Sequence, residues 1–236
     1  MLRNFLFLFF FFFGIIFLSI IFLPSFFLPK KVALFGGKIM GYWSKFCLQL
    51  ILSTKIVIKG KENIIKDKKF FIACSHQSMF ETFFLQTIFN YPVFILKKEL
   101  LKIPIFGWYL SKIGSISIDR NKIKKENLDF LSNVKAVVSS TSRPLIIFPQ
   151  ATRTNFNDRS PFKKGVSRIY EELKISCQPV AINSGTVWPK SGELISNKTI
   201  TISILEPIEP GKNEKDFLVF LQNKIYKELD NITSLS

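Results

Sequence analysis

Phe70-Phe71-Ile72-Ala73-Cys74-Ser75-His76-Gln77-Ser78-Met79-Phe80-Glu81-Thr82 changes character halfway along. Its first five residues are a short apolar run, the pattern of a buried strand. From Glu81 to Phe89 the pattern predicts a helix. His76 therefore falls where a strand hands over to a helix. Strand-like runs recur outward from this unit at 55–59, 93–96, 115–118, 145–148, 178–182 and 199–205. The first, followed by Gly60, reads as an edge strand and turn. Helical stretches lie between several of them, at 122–139 and 166–174. A closing helix is expected over 214–229, where Phe217, Leu218, Leu221, Ile225 and Leu229 share a helical spacing. Such alternation predicts an α/β sheet covered by helices.

His76 is the only histidine in 236 residues. An imidazole titrates near neutrality, about pH 6.5, so any histidine general base in this chain must be this residue. Its nearest acidic follower, Glu81, is five positions on. Along a continuous helix five residues turn through roughly 500°, which would leave the two side chains about 140° apart. They can meet if His76 lies in the loop and Glu81 in the first helical turn. Glu81 would then hold the Nδ1 proton and leave Nε2 free as a base. Cys74 shares a strand face with the position two residues on, so a Cys-His acyl-enzyme is an alternative. The apolar run around the thiol favours a buried, inert cysteine.

Ahead of the sheet, residues 5–28 are almost wholly apolar and carry no charge. A helix of this length could cross roughly 30 Å of hydrocarbon. A cleaved signal peptide is the competing reading, but no small-x-small site is evident. Pro24 and Pro29 are expected to end or bend the helix. Lys30, Lys31 and Lys38 outnumber Arg3, which orients the following domain to the cytoplasmic side. Residues 32–52 mix apolar positions with Gly36, Gly37, Tyr42, Trp43 and Lys45, and read as an interfacial helix. The expected division is an anchor with interfacial helix over 1–52 and a catalytic domain over 53–236. The net charge of +16 calls for anionic partners. Nucleic acid is disfavoured, because no zinc-ligand spacing, helix-turn-helix pattern or aromatic RNA motif is present. Cys47, Cys74 and Cys177 are odd in number and widely spaced, which suggests reduced thiols in a cytosol-facing domain. No metal cluster and no cofactor is expected.

Further blocks follow His76 in order: Lys97-Lys98-Glu99-Leu100, Pro104-Ile105-Phe106-Gly107-Trp108, Gly114-Ser115-Ile116-Ser117-Ile118-Asp119-Arg120, Phe148-Pro149-Gln150-Ala151-Thr152-Arg153-Thr154, Phe162-Lys163-Lys164-Gly165 and Pro179-Val180-Ala181-Ile182-Asn183-Ser184. In order and spacing these resemble the glycerolipid acyltransferases, in particular those that acylate 1-acyl-glycerol-3-phosphate to phosphatidic acid. The resemblance covers about 55–210. It departs from the family pattern at Glu81, usually Asp, at Gln150-Ala151, usually Glu-Gly, and at Ser75, often Asn. Gln150 keeps size and a hydrogen-bonding carbonyl without the charge. Ala151 lacks the freedom of glycine, so a positive φ is not expected there.

The resemblance implies a mixed sheet flanked by helices, held at a bilayer by an N-terminal helical pair, at the cytoplasmic face of a bacterial inner membrane. It implies transfer of an acyl group from acyl-CoA or acyl-acyl carrier protein to lysophosphatidic acid, with His76 as base and Glu81 as its orienter. Arg120 and Arg153 match the phosphate-binding blocks, where a planar guanidinium grips phosphate oxygens. Lys98 and Lys163 are further candidates, and Gln150 and Thr152 shape the acceptor site. The apolar blocks at 79–80 and 104–108 are candidates for lining the acyl path. A same-fold enzyme for another lyso-lipid and a silent protein binding anionic membranes remain alternatives.

Overall fold

A computed structural model describes residues 2–118 and 125–234. Seven strands form one sheet in the order β1-β7-β6-β2-β5-β3-β4. They are β1 (Lys55–Lys59), β2 (Phe70–Cys74), β3 (Val93–Lys97), β4 (Ile116–Ile118), β5 (Leu145–Ile147), β6 (Ser176–Ile182) and β7 (Thr199–Ile204). β6, β2, β5, β3 and β4 run parallel, β7 lies antiparallel to β6, and β1 pairs parallel with β7. The sheet is thus mixed, with β1 on an edge as its charged ends suggest.

Seven α-helices accompany the strands among the described residues: α1 (Leu2–Ile21), α2 (Lys30–Leu52), α3 (Phe80–Ile88), α4 (Phe106–Lys112), α5 (Lys125–Ser140), α6 (Gly165–Leu173) and α7 (Glu214–Ser234). Alternation along each strand sends neighbouring side chains to opposite faces. Ile72 and Cys74 join a core with residues of α1, α2 and α3, such as Phe11, Leu48 and Phe84. Phe71 and Ala73 join a second core with α5, α6 and α7, through Val138, Ile169 and Phe217. The sheet is therefore the middle of three layers.

From β2 the chain crosses through α3 to β3 on one side, and from β5 it crosses through α6 to β6 on the other. The two connections diverge from neighbouring strands. Such a divergence leaves an open crevice at the carboxyl ends of the strands.

The N-terminal segment is a helical hairpin. Pro24 lies in a short 3-10 turn (Leu23–Phe26) and Pro29 caps α2, so the two prolines mark the bend. Arg3 closes the open end by donating to the Ile51 carbonyl at 3.0 Å and the Ser53 hydroxyl at 2.9 Å. Gly14 permits close helix contact, since a Cβ there would sit 2.0 Å from the Trp43 indole nitrogen.

α1 also lies against the domain along its length. Asn4 donates to the Leu194 carbonyl, and Phe7 and Phe11 meet the edge of Trp188. Tyr109 donates to the Ser19 carbonyl at 2.7 Å. By length and composition α1 could cross a bilayer. Its outward residues, including Phe9, Phe13, Phe17 and Ile20, are each about half exposed, and Phe27, Phe35 and Phe46 of the hairpin are exposed as well. Exposed apolar side chains in this number suggest association with a membrane.

The inward and outward faces of α1 should respond differently to substitution. Phe11→Ala is expected to destabilise the folded protein by about 3–5 kcal/mol, through a cavity between Trp188 and Phe83. Phe13→Ser should leave the unfolding midpoint in detergent unchanged while weakening sedimentation with lipid vesicles. Equal losses of midpoint for both variants would contradict the docked arrangement.

Candidate active site

The parallel strands end on one rim, and the chemistry-bearing side chains gather there. His76 occupies the loop after β2, and Glu81 sits in the first turn of α3, the relation their spacing requires. His76 Nδ1 lies 3.0 Å from Glu81 Oε1. The same oxygen accepts the backbone N–H of Gln77 at 2.6 Å and of Ser78 at 2.7 Å. Oε2 accepts the Ser184 hydroxyl at 2.7 Å.

Glu81 is fully buried. A buried carboxylate is strongly disfavoured unless donors replace its lost water, and these four do so. A carboxylate facing Nδ1 selects the Nδ1–H tautomer, which leaves the lone pair on Nε2. The imidazole stacks on Phe148 with ring centroids 4.1 Å apart.

The loop after β5 fixes the histidine backbone. Gln150 Oε1 accepts the His76 N–H at 3.2 Å, and the His76 carbonyl accepts the Thr154 N–H at 2.9 Å. Between these anchors the chain turns sharply, with the Ala151 N–H donating to the Phe148 carbonyl. Ala151 has φ +61°. The expectation against a positive φ here is thus overturned. Phe148 and Gln150 both face His76, so the backbone must reverse at Ala151 even at a cost of about 1–2 kcal/mol.

His76 opens onto a cavity of about 710 Å³. Its walls are mostly apolar, with Phe22, Ala33, Met40, Phe83, Tyr109 and Ile113 among them. A polar lobe of about 500 Å³ adjoins it, bounded by Gln150, Asp158 and Ser160, among others. Thr152, Arg153, Lys163 and Lys190 line both spaces and so mark their junction. The Asp158 carboxylate accepts the Ser160 hydroxyl and, at 2.8 Å, the Ser160 N–H, and those bonds hold it below the usual carboxylate range. Three cations against one carboxylate leave the lobe net positive.

The sequence-based candidates distribute unevenly over this site. Arg153, Lys163, Gln150 and Thr152 line the polar lobe. Lys97 lines the main cavity, whereas Lys98 opens an exposed 3-10 turn (Lys98–Lys102). Met79 and Phe106 reach the cavity, but Phe80 is buried in the core and Trp108 is exposed beside Phe26. Arg120 lies outside the described residues.

Cys74 is fully buried, and burial followed by the nearby Glu81 charge pushes its thiol well above the ordinary range. It stays protonated at neutral pH and is a poor nucleophile. Lys190 carries no sequence motif, and Ser184 enters the sequence reading only as the last residue of the Pro179–Ser184 block, with no role of its own. Each reaches the site from a segment distant in the chain.

Ala151 gives a direct check on the turn. Ala151→Gly should keep the fold and equal or raise the unfolding midpoint. Ala151→Val should lower stability by about 1–3 kcal/mol, because a β-branched residue suits a positive φ poorly. Thermal unfolding of the three proteins side by side decides the point; a Val variant as stable as the natural protein would refute it.

A model of the family described as Acyltransferase matches residues 55–183. A 1-acyl-sn-glycerol-3-phosphate acyltransferase of Pseudomonas aeruginosa is 33% identical over 153 residues, covering 64% of this chain and 59% of the relative. A protein of the same name from Saccharomyces cerevisiae is 29% identical over 187 residues, covering 77% and 61%. A third, from Helicobacter pylori, is 34% identical over 161 residues, covering 66% and 67%. The matched regions thus span about three-fifths of the first two relatives. The crystal structure of the 1-acyl-sn-glycerophosphate acyltransferase of Thermotoga maritima superposes with a TM-score of 0.79 at 22% identity, covering 98% of this chain and 97% of that one. That likeness concerns the fold, a mixed sheet between helical layers. With its family match across more than half the length and the Helicobacter relative beside it, the chain belongs to the acyltransferase family.

Proposed function

We propose that this protein transfers an acyl group from a thioester to the sn-2 hydroxyl of 1-acyl-glycerol-3-phosphate, forming phosphatidic acid. One observation carries the reading. An imidazole with its Nδ1 held by a buried carboxylate opens onto a mostly apolar cavity that is joined to a cationic lobe. A lysophosphatidate has the same division, a chain and an anionic head with the reacting hydroxyl between them. The names of the relatives agree with this acceptor.

His76 Nε2 takes the hydroxyl proton as the oxygen attacks the thioester carbonyl. General-base assistance of this kind typically contributes about 10²–10⁴-fold. The tetrahedral intermediate collapses, the C–S bond breaks, and the departing thiolate takes a proton from the imidazolium. Glu81 stabilises that imidazolium while it exists. Transfer is direct, because Cys74 is buried and protonated. Arg153, Lys163 and Lys190 hold the phosphate of the acceptor, with the sequence-matched Arg120 as a further cation and Thr152 and Gln150 shaping the walls. The donor is acyl-CoA or acyl-acyl carrier protein. The outer face of the α1–α2 hairpin rests in the bilayer, and the cations after α1 set the domain on the cytoplasmic face.

The experiment is transfer of labelled acyl groups from both donors to lysophosphatidate by detergent-solubilised protein. Other lyso-lipids serve as competing acceptors. Phosphatidic acid is the expected product, and preference for an acceptor without a phosphomonoester would overturn the assignment. His76→Ala should abolish transfer and leave vesicle binding intact. Lys190→Ala should raise the KM for lysophosphatidate by about tenfold with little change in kcat, since it removes ground-state binding. Cys74→Ala should retain most of the activity, and its loss would revive an acyl-enzyme.

A further inference from the structure

Ser184 reaches Glu81 across 103 residues of sequence. We propose that it is a positioning residue, which fixes the plane of the Glu81 carboxylate and through it the tautomer and orientation of His76. The proposal rests on the general-base reading above.

The two oxygens of Glu81 are held differently. Oε1 receives three donors: the imidazole Nδ1–H and the backbone N–H groups of Gln77 and Ser78. Contacts converging on one oxygen fix that atom and leave the tilt of the carboxylate about its Cγ–Cδ bond to be set at the other. Among the described residues, Ser184 supplies the hydrogen bond on Oε2. Two held oxygens define a plane, and the plane determines which lone pair faces Nδ1. A carboxylate rotated out of register would weaken the Nδ1–H bond and admit the other tautomer, in which Nε2 carries the proton and cannot act as base.

The hydroxyl itself is well fixed. Ser184 is fully buried and opens a 3-10 turn (Ser184–Thr186) directly after β6. That turn is tied to the histidine loop by a bond from the Gly185 N–H to Gln77 Oε1 at 3.0 Å. Upstream, the Ile182 N–H donates to Ser75 Oγ at 2.9 Å. Space at the tie is limited, since a Cβ on Gly185 would lie 3.0 Å from the Gln77 Cβ. Downstream, the Ser184 carbonyl accepts the Trp188 N–H at 2.9 Å, and Trp188 packs on Phe7 and Phe11 of α1. The hydroxyl thus sits on a braced segment opposite the carboxylate oxygen that it holds.

A purely structural Ser184 would also help to satisfy a buried charge, so stability alone does not test the proposal. The lone histidine supplies a cleaner readout. In protein labelled with 15N-histidine, every imidazole signal comes from His76. With the ring neutral, the natural protein should show one Nδ1–H tautomer.

Ser184→Ala should shift the ring nitrogens toward a tautomer mixture. It should also lower kcat by roughly ten- to hundredfold, the rate equivalent of one lost hydrogen bond to a charged group. KM for both substrates should stay within about twofold, as for an interaction acting in the transition state. Ser184→Cys, with a weak donor of the same shape, should fall between the two and carries the test if the alanine variant does not fold. A folded variant with unchanged imidazole signals overturns the proposal, whatever its kcat. Failure of the general-base reading is separable: it would appear as retained transfer in His76→Ala, while the nitrogen signals would still report whether Ser184 sets the ring.

Discussion

The Glu81 carboxylate is fully buried, and two segments of the chain are arranged to supply donors in place of solvent. The loop after β2 contributes two backbone N–H groups, His76 its ring, and the turn after β6 a hydroxyl. None of these donors can move away without leaving a buried charge short of partners, a loss typically worth several kcal/mol. The positions of His76 and Ser184 are therefore set by the same electrostatic requirement. The start of α3 adds to it, since the first turn of a helix favours a negative charge.

Topology explains why this arrangement can sit beside a cavity. β2, β5 and β6 are adjacent and parallel, so the segments that leave them emerge on one rim. The histidine follows β2, the Phe148–Arg153 segment follows β5, and Ser184 follows β6. Diverging crossovers leave room between them, and the hairpin helix α2 closes part of that room with Ala33, Gly36 and Met40. The mostly apolar cavity thus borders the elements that also carry the exposed apolar side chains. The cationic lobe lies among the loops, where long side chains keep their charged ends in water.

The sheet was legible because its strands are runs of Ile, Val and Phe bounded by turn residues, a signal that burial on both faces strengthens. All seven strands lie where that pattern indicates. α4 was not legible: it is seven residues long, follows Pro104 and contains Gly107, so it has too few turns to show a period. The pairing of His76 with Glu81 could be foreseen because its geometry is local. The positive φ of Ala151 could not, because it follows from two contacts with a residue 75 positions earlier in the chain. Lys190, and the role of Ser184 at the end of its block, escaped for the same reason. A lysine after a proline and a serine after an asparagine carry no chemistry until the fold brings them to the rim.

The docking of α1 has a consequence for the order of events during synthesis. Phe7 and Phe11 complete their surroundings with Trp188. At typical elongation rates that tryptophan is made roughly ten to forty seconds after the helix. Throughout that interval α1 has an uncovered ring on every side, and a helix apolar all round is stable in lipid and prone to self-association in water. The nascent chain therefore has reason to rest at a bilayer before the sheet exists. Membrane contact would then precede the fold, and the last step of folding would draw one face of α1 out of lipid and onto Trp188.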